Sequence, residues 1–344
     1  MAALSRRSVL KGLAAVTGTG LFTSPTARAL PRTLSRTRDL RPGVQLLPAG
    51  LPAPTHLGVS GGPARLRTRT AAGWGRWRTL DGCGGGRDAD GRPASLTALP
   101  AGVLEYELDL PAAARVSELD VVSGPAGERV APVAVEAPYP YLPRHVWGAD
   151  ESLRFTENGE DRYPQEHFPV QALTVHHTAL TASSDPAADL RAIYYDHTVS
   201  RGWGDIGYHL LIDPAGQVYE GRYTGEDDVP VFAGRRSDGR PHVVSAAHVG
   251  GFNAGNIGVC LLGDLTSGIP SDAARRSLVT VLAALVEECG LDPLGRTEYV
   301  NPVGGATKAV DTISGHRDWN STQCPGNSFY PYLPDVRAQV AKAR

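Results

Sequence analysis

Gly315-His316-Arg317-Asp318-Trp319-Asn320-Ser321-Thr322-Gln323-Cys324-Pro325-Gly326 sets an imidazole and a thiol eight positions apart near the end of a 344-residue chain. Far upstream, Gln171-Ala172-Leu173-Thr174-Val175-His176-His177-Thr178 ends an apolar run, which reads as a strand, in a histidine pair. A catalytic zinc typically takes three protein ligands and leaves a fourth position for water, whereas a structural zinc closes all four positions with His and Cys. One histidine of the pair, His316 and Cys324 together offer three. Adjacent strand residues point to opposite faces, so only one of His176 and His177 enters a shared cleft.

Working outward, the elements around these residues alternate in type. Asp185-Pro186 supplies an N-cap and a first-turn proline, and Leu190, Ile193, Tyr194 and His197 then recur at helical spacing until Gly202. Residues 209–212 and 217–220 form a hairpin across Asp213-Pro214-Ala215-Gly216. Residues 257–262 read as a strand. A long helix runs from Ser271 as N-cap to Gly290 just past its end, with Ala274, Leu278, Val281, Leu282, Leu285 and Cys289 on one face. The expected architecture is α/β, a mixed central sheet flanked by helices with a cleft at strand ends.

The first half is patterned differently. From residue 55 to 135, short alternating segments such as Ala64-Arg65-Leu66-Arg67-Thr68-Arg69 and Leu104-Glu105-Tyr106-Glu107-Leu108 are separated by turn residues, which predicts a small all-β sandwich-like domain. Trp74 and Trp77 suit a carbohydrate platform, but filling the core of a small sandwich is the favoured reading. Residues 136–143, with their alternating prolines, form a stiff connector, and the second domain follows as 144–344. Residues 30–54 show no sustained period and read as a linker, whose Arg32, Arg36, Arg38 and Arg41 are expected to be solvated rather than to hold anionic wall polymers.

Residues 1–29 carry Ser5-Arg6-Arg7-Ser8, a short apolar stretch and Ala27-Arg28-Ala29, the pattern of a twin-arginine export signal with its cleavage site. The stretch is too short for a transmembrane anchor, which needs about 20 apolar residues. The segment holds four basic residues and no acid, so its removal makes a chain of net charge −2 more acidic and argues against a nucleic-acid partner. A secreted or wall-associated protein is expected. With Cys324 given to a metal, Cys83, Cys260 and Cys289 leave an odd number that does not read as a disulfide framework. Cys260 and Cys289 read as buried thiols, and Cys83, between glycines, as exposed.

From residue 141 onward the chain resembles the type 2 zinc-dependent N-acetylmuramoyl-L-alanine amidases, which share a fold with the peptidoglycan recognition proteins. The resemblance runs in order through Arg144-His145-Val146-Trp147-Gly148-Ala149, Thr174-Val175-His176-His177-Thr178, Gly207-Tyr208-His209, Val218-Tyr219-Glu220-Gly221-Arg222, Ala247-His248-Val249-Gly250-Gly251-Phe252-Asn253, Asn256-Ile257-Gly258-Val259 and Gly315-His316-Arg317-Asp318 with Cys324-Pro325-Gly326. It does not cover the β-rich first half. The resemblance implies a zinc ion, Zn2+, held by His176, His316 and Cys324, with His177 facing the core. It implies a catalytic hydroxyl on Tyr208, and a groove for peptidoglycan, as muramyl peptide, lined by His209, His248 and Asn253. The implied reaction cuts the amide between the lactyl group of N-acetylmuramate and L-alanine; the alternative is a recognition protein that binds without cutting.

Thr322 falls where phage relatives carry a catalytic lysine and many recognition proteins carry threonine, so only a hydroxyl is on offer. Asp318 reads either as an orienting partner of His316 or as a capping residue. Asn253 reads equally as a turn-former. Residues 223–245 run longer than the family's connection there and are expected to form a groove wall or a surface insertion.

Overall fold

The computed structural model describes residues 29–50, 52–80, 86–87, 94–124, 126–129, 139–225, 230–233 and 239–344. The export segment up to residue 28, Cys83, residues 136–138 of the connector and the charged runs 226–228 and 235–238 lie outside the described residues.

The first unit holds β1 (Leu34–Leu40), β2 (Gly43–Pro48), β3 (His56–Ser60), β4 (Ala64–Thr70), β5 (Gly73–Trp74), β6 (Arg78–Leu80), β7 (Ala94–Ala98), β8 (Glu105–Leu110) and β9 (Ala114–Asp120). One sheet runs β1-β9-β3-β7. The other runs β2-β8-β4-β5, with β6 also on β4. Alternation builds the sandwich: Tyr106, Leu108 and Leu110 of β8 turn inward with Leu57, Val59, Leu66 and Val116, while Glu105, Glu107 and Asp109 turn outward opposite Arg69, Arg67 and Arg65.

Two expectations need correction. The presumed linker 30–54 contains β1 and β2. Each is the edge strand of its sheet and almost wholly exposed, so neither carries the inward apolar set that reveals a strand by alternation. Arg36 and Arg38 are not solvated linker charges, since both reach the buried Glu118 carboxylate. Nor do the tryptophans fill the core. Trp74 is 39% exposed, and the Arg67 guanidinium lies 4.8 Å from its ring centroid and 4.9 Å from that of Trp77. The aliphatic side chains and Tyr106 already fill the space between the sheets.

The second unit is built on β10 (Ala172–His177), β11 (Leu210–Ile212), β12 (Val218–Glu220), β13 (Asn256–Leu261) and β14 (Ile313–Gly315), in the order β12-β11-β13-β10-β14. β10 is parallel to both β13 and β14, and β11–β12 is the antiparallel hairpin. One face packs Leu173, Val175, Ile257 and Val259 against α2 (Asp272–Cys289) and α3 (Leu333–Ala343). The α2 helix starts on the Ser271 hydroxyl, which accepts from the Ala274 amide, and ends on Gly290 at φ 65°. The opposite face packs Leu211, Tyr219 and Cys260 against Leu190, Ile193 and Tyr194 of α1 (Pro186–Tyr195) and against Trp147. The connector does not stand apart, because Tyr139 within it is buried in the central core.

α1 is covered on both sides. Its Ala188 and Ala192 meet Leu119 and Val121 of the sandwich, and Asp189 accepts from His56 Nε2 at 2.9 Å in a fully buried pair. Beyond Tyr195 the backbone widens into a π turn, Asp196–Ser200, instead of continuing as α-helix to Gly202. No helix of the described residues is long and apolar enough to cross a membrane.

Candidate metal centre

The register of the sheet assembles the site. Val175 pairs with Gly315, so His316, the first residue after β14, stands beside His176, and their ring centroids are 4.6 Å apart. The return of the chain to Cys324 completes the group. A ligand atom from each of His176, His316 and Cys324 lies within 4.8 Å of the others, and all three residues are buried. Two imidazoles and a thiol form a borderline-soft donor set suited to a first-row transition metal.

Hydrogen bonding orients His176. Burial, reinforced by the neighbouring His316 and His248, holds its pKa well below the ordinary histidine value, and burial does the same for His248. Both rings are therefore neutral. His248 Nε2 lies 3.0 Å from the Asn256 carbonyl, which can only accept, so that nitrogen carries the proton. His248 Nδ1 then accepts from His176 Nε2 at 3.0 Å. This leaves a lone pair on His176 Nδ1, the atom 3.6 Å from Cys324 Sγ. The sulfur in turn receives the His177 amide at 3.4 Å and lies 3.8 Å from the His177 carbonyl.

Residues 166–327 match the family model described as N-acetylmuramoyl-L-alanine amidase. Over 168 residues the chain is 31% identical to peptidoglycan recognition protein 1 of Bos taurus, covering 48% of this chain and 71% of that protein. The chain belongs to the family of N-acetylmuramoyl-L-alanine amidases and peptidoglycan recognition proteins. Over 196 residues it is 30% identical to the Homo sapiens N-acetylmuramoyl-L-alanine amidase, covering 56% of this chain and 27% of that one. It spans about a quarter of the length of the human and mouse amidases that it matches. Among solved structures, Drosophila PGRP-LB aligns over 56% of this chain and 92% of its own, at 24% identity and a TM-score of 0.40. Membership rests on the sequence matches.

Within this amidase fold, Tyr208 is 7% exposed and its ring lies 5.2 Å from that of His176. Three supports hold it. The Arg222 amide bonds to the Tyr208 carbonyl at 2.8 Å. The π turn brings His197 to accept the Gly207 amide at 3.0 Å and to pack against the Tyr208 ring. Asp205 sits below, bridging Arg144 at 3.1 Å and Arg222 at 2.9 Å. Burial alone would raise the Asp205 pKa, but the two guanidiniums hold it below the usual carboxylate value.

The three residues expected to line the groove are all buried. His209 is fully buried. It donates to the Val244 carbonyl at 2.7 Å and accepts from the Gly258 amide at 2.9 Å. His248, 1% exposed, spends both nitrogens on Asn256 and His176. Asn253 is the turn-former: its carbonyl accepts from the amides of His248 and Val249 at 2.8 Å each, and its amide donates to the Gly86 carbonyl at 3.0 Å. His248 also lines the cavity beside Tyr208. His248 holds His176, while Asn253 and His209 hold the loop and the strand on which His248 rests.

Asp318 caps the short turn that carries His316, accepting from the Gly315 amide at 2.7 Å and from the Tyr330 hydroxyl. Thr322 is half-buried and accepts the Cys324 amide at 3.2 Å, so its hydroxyl shapes the cysteine's loop. His177 faces away from the cluster, as expected, and accepts the Leu265 amide at 2.9 Å. The sequence reading missed Gly258. A Cβ there would lie 2.8 Å from His248 Cγ, so only glycine lets that ring rest on β13. Its signal was the Asn256-Ile257-Gly258 motif itself.

Proposed function

We propose that the chain is an exported, zinc-dependent N-acetylmuramoyl-L-alanine amidase that hydrolyses the lactyl–L-alanine amide of peptidoglycan. The observation that carries this reading is the convergence of His176, His316 and Cys324 within 4.8 Å, with Tyr208 beside them. The donor set fits zinc: two imidazoles and a cysteine sulfur in a buried pocket, with His176 held in the tautomer that leaves its inner nitrogen unprotonated. A zinc ion in this place would supply Lewis acidity towards the amide carbonyl and acidify water as the nucleophile.

The chain's own residues do the rest. Tyr208, fixed from below by Asp205 and Arg222 and from the side by His197, directs its hydroxyl as a hydrogen-bond donor to the oxygen on which charge develops. Near-complete burial of the cluster keeps competing water away and strengthens that bond. Thr322 acts by positioning Cys324. The sequence match to the N-acetylmuramoyl-L-alanine amidases supports a muramyl peptide as the ligand. Residues 1–29 serve as the twin-arginine export signal, and 144–344 carry the catalysis.

Digestion of purified peptidoglycan, with mass analysis of the products, tests the proposal. New N-terminal alanine that disappears on chelation and returns with zinc is the expected result. Wall binding without new termini would make the chain a recognition protein, and termini elsewhere in the stem would make it a peptidase.

A further inference from the structure

A groove of about 700 Å³ opens at the junction of the two units, between the sandwich and the loop that leads into α1. Its walls are apolar at Pro54, Leu99 and Val103, with hydroxyls from Thr181 and Ser183 and two arginines, Arg76 and Arg78. Arg76 is exposed. Arg78 is half-buried and held by two neutral acceptors, the Ala98 carbonyl at 3.0 Å and the Thr181 hydroxyl at 3.3 Å across the junction. Burial, with no carboxylate contributing, holds its pKa below the ordinary guanidinium value. Among the described residues the groove's one acidic residue, Asp185, is turned to the first turn of α1, where it accepts the Ala188 amide.

A cation removed from water without a counter-ion is costly, and an anion arriving beside it offsets that cost. The guanidinium fork matches the planar oxygens of a carboxylate or phosphate. Ligand sites favour the seams between units, in cavities of roughly 300–1,000 Å³ with apolar walls and few convergent polar groups. We propose that this groove binds a carboxylate- or phosphate-bearing group on a sugar or polyol body, with Arg76 and Arg78 taking its charge and the apolar walls its carbon frame. The site is separate from the metal centre and needs no metal.

Calorimetric titration of the chain with N-acetylmuramic acid, glycerol phosphate and a neutral N-acetylglucosamine oligomer tests this. None of the three contains the amide assigned to the metal centre, so failure of the amidase reading leaves the test intact. Saturable binding of at least one anion and none of the neutral sugar is expected. Arg76→Gln should weaken it about tenfold, the scale of one charge-assisted hydrogen bond. Arg78→Lys keeps the charge but loses the fork, and should weaken it as well. Both variants should cleave soluble wall fragments at the unaltered rate. Preference for the muramic acid would assign the groove to the wall glycan, and preference for the phosphate to an anionic wall polymer. Absence of saturable anion binding, or unaltered binding by both variants, would overturn the proposal.

Discussion

Between the two sheets of the sandwich the filling is mostly aliphatic, apart from Tyr106, whose hydroxyl donates to the buried Glu118 carboxylate that Arg36 and Arg38 also reach. Its ionic pairs Arg65–Asp109 and Arg69–Glu105 lie on an outer face in solvent. In the second unit the order is reversed on one side of the sheet. His176, His209, His248, Asp205 and Arg222 are all almost completely buried, and each is held by a named hydrogen bond or ion pair. A buried polar group must be satisfied or it destabilises the fold by about 1–3 kcal/mol. The second unit meets that constraint at several places, and one of them is the space beside His176, His316 and Cys324. The difference teaches where to look for chemistry: in the region where buried histidines gather beside a thiol, not in the one whose charges mostly face water.

Breaking the polar side should have the larger consequences. Tyr208→Phe keeps the ring and the packing but removes the hydroxyl, and should lower turnover on a soluble muramyl peptide by roughly 10²-fold or more while metal stays bound. Steady-state rates alongside metal analysis check this, and an unaltered rate would remove Tyr208 from the mechanism. Next comes the support for His176. His248→Phe removes the acceptor that fixes its tautomer and should weaken zinc affinity by about 10–100-fold. His248→Gln, which can still accept, should lose less. Competition with a chromogenic chelator measures both, and equal loss would show that His248 merely fills space.

Acid sharpens the comparison further. Burial lowers the His209 pKa from 6.5 to about 4. As pH falls below 6.5 the unfolded chain takes up this proton first, so stability is full above that value. It declines towards pH 4, below which the folded form is protonated too. His197 shifts in the same direction. The metal-free chain should therefore melt at progressively lower temperature from pH 6.5 to 4, and a flat profile would contradict the neutral histidine interior. The smallest effect belongs to the sandwich surface. Replacing Arg69 and Glu105 together by alanine should leave the melting temperature essentially unchanged, because exposed ion pairs contribute little.

The sequence disclosed the two regions unequally for the same reason. β10, α2 and the β11–β12 hairpin were legible because each carries a buried face or a cap that local pattern reveals. His316 and Cys324 were legible because chemistry demands those residue types within a short span. The bond from His248 to His176 joins residues 72 positions apart and depends on the missing side chain of Gly258, so no local pattern signals it. β1 and β2 escaped notice as exposed edges. The placement of Trp74 and Trp77 outside the core followed from how completely Tyr106 and its neighbours fill it. The groove beside Arg78 exists only where two units meet.

The central claim, that this polar interior is built around one metal ion, is tested most directly by cobalt substitution of the metal-free chain. One equivalent should bind tightly and give the ultraviolet charge-transfer band of a thiolate ligand, and Cys324→Ser should abolish that band and weaken binding sharply. Absence of stoichiometric binding, or an unaltered band and affinity in Cys324→Ser, would contradict it.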